Sequence, residues 1–293
     1  MHWNVDPVLV DLGFLQLRWY GLFFAIGIVL GVSALGRYFR QRGLPEEHAN
    51  SLALWLPIGM ILGAHLVHLV FYEPRSFIYN PRRIIEIGSG LASHGGGLGA
   101  ILALWLFCRR HGQSFYRYAD PSMLAAMWVI PWVRVGNFFN SEIYGTRTDL
   151  PWGVIFERHG FTQPRHPSQV YEAIIGFSLL GLALWLNRNY ARRWRPGAFL
   201  YFNLFTYFIT RFMVEYVKEH QVFDPTSPFD MGQYLSAPIV LVSAYMLLFS
   251  KRHNIVHPYE GAGDVAPAAL NSGTATSAST PSSVRKRSVA KRR

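Results

Sequence analysis

Seven stretches of this chain are apolar enough to be read as membrane-spanning helices, and three of them are interrupted by arginine or glutamate. A spanning helix needs about 20 mostly apolar residues. Four stretches meet that plainly: residues 19–36, 51–72, 91–108 and 234–250. The stretches 121–139, 170–186 and 197–215 are interrupted by Arg134, by Glu172, and by Arg211 with Glu215. The expectation is an all-α polytopic membrane protein with about seven transmembrane helices in residues 1–255, followed by a tail over 256–293.

Composition agrees with a bilayer environment. Charged residues are only 15% of the chain, where soluble domains carry roughly 25%. Nine Trp, 15 Tyr and 21 Phe suit interfacial belts. The net charge of +11 does not indicate nucleic acid, because most cations sit in short loops between apolar runs. The lone cysteine, Cys108, forbids an intrachain disulfide and reads as a small apolar residue at a helix end. The first 18 residues lack the basic region of a cleavable signal peptide. No internal repeat is visible.

Loop charges set an orientation. With the N-terminus outside, loops 37–48, 109–120 and 187–196 and the tail after Ser250 face inward and hold 18 of the 28 Lys and Arg. The tail alone supplies eight of them. Positive-inside bias therefore favours N-out, C-in. From Gly261 onward the tail is Gly, Ala, Ser, Thr and Pro-rich and is expected to be disordered. Its runs Arg285-Lys286-Arg287 and Lys291-Arg292-Arg293 suit anionic membrane lipid, at about 1 kcal/mol per charge near the surface. A plain topology signal is the alternative.

Intramembrane charges cost several kcal/mol unless paired or hydrated, so each is a functional candidate. In this topology Tyr20, His94, Arg134, Asn137, Asn140, Glu142, His166, Glu172, Arg211 and Glu215 all fall toward the outer face. Scattered structural pairs would not share one side. The stretch Ser93-His94-Gly95-Gly96-Gly97-Leu98-Gly99 heads a helix and offers either close backbone approach to an anion or tight helix packing. Arg134 presents a planar fork to a phosphate, and Asn137 and Asn140 donate and accept. Arg211 and Glu215, at i and i+4, share a helix face and suggest an arginine held by a carboxylate. His65 and His68 are spaced for a metal, but no third ligand is near in sequence, and no metal is expected. There is no P-loop, H-E-x-x-H or G-x-S-x-G motif.

These residues resemble the phosphatidylglycerol–prolipoprotein diacylglyceryl transferases of bacteria, from about Trp19 to Ser250. Arg134-Val-Gly-Asn137-Phe-Phe-Asn140-Ser-Glu142-Ile-Tyr-Gly145 matches that family's signature G-R-x-G-N-F-x-N-x-E-x-x-G except at the first place, where Val133 stands. Arg18-Trp19-Tyr20-Gly21, Ser93-His94-Gly95-Gly96-Gly97, His166-Pro167-Ser168-Gln169-Val170-Tyr171-Glu172 and Arg211-Phe-Met-Val-Glu215 support it. Relatives often carry Arg at the places of His65 and Lys218. The resemblance implies a transferase of the bacterial inner membrane that moves the sn-1,2-diacylglyceryl group of phosphatidylglycerol to the lipobox cysteine thiol of a preprolipoprotein. A thioether forms and glycerol phosphate leaves, with no cofactor. It implies catalytic roles for His94, Arg134, Asn137, Glu142 and Arg211. Substrate contacts are implied for Tyr20, Arg134, Asn140, Gly145, Glu172, Arg211 and Glu215. His94 is the first candidate for the base that deprotonates the thiol, and Glu142 the second. Two other classes compete: a transporter with a midplane charged site, which usually shows related halves, and a receptor or scaffold for lipoprotein export.

Overall fold

The structure, a computed structural model, describes residues 1–71, 73, 79–85, 92–190, 193–219 and 229–249. The side chains of Ser93 and His94 lie outside the described residues, as do the tail over 256–293 and the run 220–228. Eight α-helices are described: α1 (Trp19–Gln41), α2 (Glu46–Phe71), α3 (Ser93–Arg110), α4 (Phe115–Ala126), α5 (Val129–Phe139), α6 (Ser168–Tyr190), α7 (Ala198–Val214) and α8 (Met231–Phe249).

Among the described residues α1, α2, α6 and α8 are long and apolar enough to cross a membrane. Their outward faces confirm what the composition suggests. On α2 the residues Leu54, Ile58, Leu62, Leu66 and Val70 recur every fourth position and all remain exposed, Leu54 at 67%. A stripe of that size in water would be an aggregation liability, whereas in lipid it is the favoured face. Helix α7, at 17 residues, is shorter than the usual spanning length.

The single span expected over 121–139 is two helices. Met127 and Trp128 form a turn between α4 and α5. Pro131 supplies the reason: it has no N–H to bond the Met127 carbonyl, and its ring crowds that carbonyl. The fold is also not purely helical. Strand β1 (His2–Trp3) pairs in parallel with β4 (Ile155–Phe156), and β2 (Val8–Asp11) pairs antiparallel with β3 (Gln16–Arg18). These short pieces decorate one end of the bundle. Pairing with β4 brings Trp3 onto Phe138, ring centroids 4.3 Å apart, at the C-terminal end of α5.

Helix α1 packs on α2, α4 and α5, and α6 lies between α5 and α7. Helices α2 and α3 are the most closely packed pair, and glycines make this so. A Cβ on Gly99 would come 2.0 Å from the Gly59 carbonyl oxygen, and one on Gly95 would come 2.3 Å from that of Gly63. Two small-xxx-small faces thus meet backbone to backbone, the usual device where lipid tails remove any hydrophobic gain from association. Gly97, by contrast, faces open space. The Gly-rich stretch is therefore, at Gly95 and Gly99, a packing device.

A core cluster of Leu35, Phe39, Leu52, Phe107 and Tyr118 ties α1 to α4 at the end where α1 finishes and α2 begins, and buries Cys108. Nearby, buried Asp120 accepts the Gly197 and Leu200 N–H groups at 3.0 and 2.9 Å and so anchors the start of α7. Polar groups for chemistry gather at the other ends of these helices.

Candidate active site around Glu172

Glu172 stands in the second turn of α6 and is 8% exposed. Three cations surround its carboxylate. Lys218 Nζ lies 3.0 Å from Oε1, Arg211 Nη1 3.6 Å from Oε1, and Arg134 Nη1 3.3 Å from Oε2. Lys218 also reaches Glu215 Oε2 at 3.0 Å. The three cations and two carboxylates joined in this way leave one positive charge in excess. A buried carboxylate needs such partners, because desolvation costs more than any single exposed pair returns.

This differs from the pairing read from sequence. Arg211 and Glu215 share a helix face, but Arg211 turns to Glu172 on the neighbouring helix, and Glu215 pairs with Lys218. Glu215 keeps a helical backbone, its N–H on the Arg211 carbonyl, but it opens the 3-10 turn Glu215–Val217 that brings Lys218 onto its carboxylate. Lys218 received no role in the sequence reading. Its position three residues after Glu215 was the available signal.

The two arginines are held by charge rather than by saturated hydrogen bonds. The approach of Arg134 to Glu172 Oε2 lacks hydrogen-bond alignment. Arg134 donates to Asn137 Oδ1 at 3.4 Å and hydrogen-bonds the Tyr207 side chain, and Tyr20 lies close to it. A guanidinium has five N–H donors, so much of this capacity remains for a ligand.

Asn137, near the end of α5, donates to Glu142 Oε2 at 3.4 Å, and Asn140 donates to Glu142 Oε1 at 3.0 Å. Glu142 is flanked by Ser141 and Ile143, whose φ values of 57° and 56° are left-handed. For β-branched Ile143 this is a strained conformation, and strain of this kind collects at functional sites. The start of α6 holds the strained turn: Gln169 Nε2 donates to the Glu142 carbonyl at 2.5 Å and Ser168 Oγ to that of Ile143 at 2.6 Å. No side-chain pattern marks these backbone conformations in the sequence.

Gly145 lets the same loop thread between two segments. A Cβ there would come 2.4 Å from the Val217 carbonyl oxygen and 2.6 Å from His166 Cβ. Its N–H bonds the His166 carbonyl at 2.8 Å, Arg165 Nη1 donates to its carbonyl, and it bridges to Lys218. Gly145 thus joins the signature loop to the segment carrying Lys218. Tyr20, in the first turn of α1, packs on α5 at Gly136, where a Cβ would come 3.0 Å from its ring.

The structure therefore brings Tyr20, Arg134, Asn137, Asn140, Glu142, Gly145, Glu172, Arg211 and Glu215 to one end of the bundle. His94 opens α3, which packs chiefly on α2, and its side chain lies outside the described residues. His65 and His68 do not share a ligand: His65 Nε2 bonds the Arg83 and Ile84 carbonyls, and His68 Nε2 pairs with Glu73.

A family model described as prolipoprotein diacylglyceryl transferase matches residues 7–249. The chain is 41% identical over 261 residues to a phosphatidylglycerol–prolipoprotein diacylglyceryl transferase of Tolumonas auensis, covering 86% of this chain and 98% of that protein. It is 35% identical to the enzyme of that name from Bacteroides fragilis, over 85% of this chain and 95% of the relative. The figure is also 35% for Pseudomonas aeruginosa, over 87% and 97%.

Proposed function

The chain belongs to the prolipoprotein diacylglyceryl transferase family, and from that membership we propose a reaction and a division of labour among the site residues. It is a transferase that moves the diacylglyceryl group of phosphatidylglycerol to prolipoproteins. In our finer reading the group is sn-1,2-diacylglyceryl and the acceptor is a lipobox cysteine. The thiol gives its proton to a base, and its sulfur bonds the glyceryl carbon that carried the phosphate oxygen. That C–O bond breaks, and glycerol phosphate leaves with the bonding pair.

The observation that carries this reading is the pair of arginines gathered on Glu172, at 3.3 and 3.6 Å, with donors unspent. As the C–O bond breaks, negative charge grows on the departing phosphate, and fixed cations stabilise that change more than they stabilise the ground state. Asn137 and Asn140 orient Glu142, and Tyr20 positions the headgroup beside Arg134. His94 takes the thiol proton. Glu172, Glu215 and Gly145 keep the arginines and the signature loop in register.

The same reading places the enzyme in the bacterial inner membrane with seven spans, the N-terminus outside and the C-terminus inside. The site then faces outward, where precursors arrive, and the basic tail meets anionic lipid within. The basic residues concentrated in the inside loops and tail support this.

Incubating the purified full chain with phosphatidylglycerol and a lipobox peptide tests the reading. The expected product is the peptide as a diacylglyceryl thioether, with one glycerol phosphate released per thioether. Folded protein that yields no thioether would refute the reaction. Labelled lipid moved between compartments without product would identify a transporter instead.

A further inference from the structure

An open groove of about 550 Å³ runs between α6 and α7 beside the ion cluster. Its wall is mainly Leu150, Trp152, Ile175, Ile209, Met213 and Val217. Three further wall residues carry polar atoms. Thr210 spends its hydroxyl on the Thr206 and Tyr207 carbonyls, at 2.9 Å each. Tyr171 and His166 belong to a chain that starts at Trp152. Trp152 Nε1 donates to the Tyr171 hydroxyl at 2.8 Å, and that hydroxyl lies 3.1 Å from His166 Nδ1.

An indole N–H only donates, so the Tyr171 oxygen accepts there and has its own proton to place. His166 Nδ1 is the acceptor within reach. With Nδ1 accepting the Tyr171 proton, the imidazole's own proton stands on Nε2. Nε2 has no hydrogen-bond partner among the described residues and is not a buried orphan. The groove is therefore an apolar trough with one unspent N–H donor at its wall.

We propose that this groove takes a fatty acyl chain of the phospholipid donor, and that His166 Nε2–H donates to the ester carbonyl of that chain. The proposal rests on the transferase reading above. Wall residues Tyr171, Thr210 and Val217 are the chain neighbours of Glu172, Arg211 and Lys218. The trough and the ion cluster thus occupy adjoining flanks of α6 and α7, so a lipid with its phosphate on the arginines has an apolar wall alongside for a tail. An apolar trough with a single donor matches an aliphatic chain bearing one carbonyl.

The test compares the ester-linked donor with its diether analogue, which lacks the carbonyls, at fixed micelle composition with the full chain. Wild type is expected to show about a fivefold to tenfold higher KM for the diether lipid, the loss of one neutral hydrogen bond. His166→Phe should give the same KM for both lipids, and His166→Gln, which keeps a donor, should restore part of the difference. The His166 backbone bonds to Thr146 and Gly145 do not depend on the side chain. Equal KM values in wild type would overturn the proposal without any variant. Wild-type discrimination retained in His166→Phe would overturn it too, as would a shift confined to the KM of the acceptor peptide. A wild type that transfers from neither lipid would overturn the transferase reading itself.

Discussion

Lys218 touches two carboxylates at 3.0 Å each, and at 5% exposure it has little water to replace them. Without it, Glu215, half-buried beside Gly232, has no ion-pair partner among the described residues, and Glu172 keeps only its two looser arginines. Breaking one partner of a buried pair costs about 3–5 kcal/mol. Lys218→Met is therefore expected to lose at least about 3 kcal/mol of stability in denaturant unfolding of the detergent-solubilised chain. Lys218→Arg should recover most of it, and an unchanged unfolding curve for the Met variant would contradict the arrangement. For His94, loss of the base slows thiol deprotonation, whose unperturbed pKa is about 8.5. His94→Gln should thus lose rate near neutrality and regain part of it as pH rises toward 9, where more thiolate forms unaided. A flat pH–rate profile would move that role to Glu142 or to water. That Arg134, Glu172 and Arg211 come together was legible in the sequence, because intramembrane charges are rare and costly unless paired. The pairing within the cluster was not. Spacing alone paired Arg211 with Glu215, but a carboxylate on the next helix draws Arg211 and Lys218 takes Glu215.

At the level of elements, the α2–α3 interface was half visible. The Gly-rich head of α3 allowed either anion binding or close packing, and only the apposed Gly59 and Gly63 on α2 separate the two. Gly99→Ile would force a branched side chain into a gap where even a Cβ lies 2.0 Å from a carbonyl oxygen. The expected loss is about 2 kcal/mol or more, read as a lower melting temperature. Gly97→Ile, facing open space, is the matched control and should melt like wild type. Equal melting of the two variants would refute the packing role. The break between α4 and α5 was hidden for another reason. Apolarity runs unbroken through residues 127–132, and only the proline geometry at Pro131 interrupts the hydrogen-bond ladder. Hydropathy reports what a helix faces and is blind to a lost N–H.

Across the whole molecule the division is between two ends. One end holds the apolar cluster around Phe39, Phe107 and Tyr118, and the other holds the ion cluster around Glu172. In the orientation proposed from the loop charges, the first lies inside and the second outside. A single cysteine introduced at position 290, after replacement of Cys108, should react with an impermeant thiol reagent only once the membrane is opened. Labelling in intact cells would reverse the orientation. The outward stripe on α2 and the charge clustered at one end were both foreshadowed by composition, since each follows from exclusion of polar groups from lipid. The strained turn at Ser141 and Ile143 was not, because it is fixed by hydrogen bonds from the distant Ser168 and Gln169. The central claim is that Arg134 acts on the charge of the departing phosphate. Its most direct test is kcat for thioether formation by Arg134→Ala at saturating phosphatidylglycerol. Lys218 and Arg211 still neutralise Glu172 in this variant, so the fold should persist. The expected kcat is at least about 100-fold below wild type. A folded Arg134→Ala enzyme turning over at the wild-type rate would contradict it.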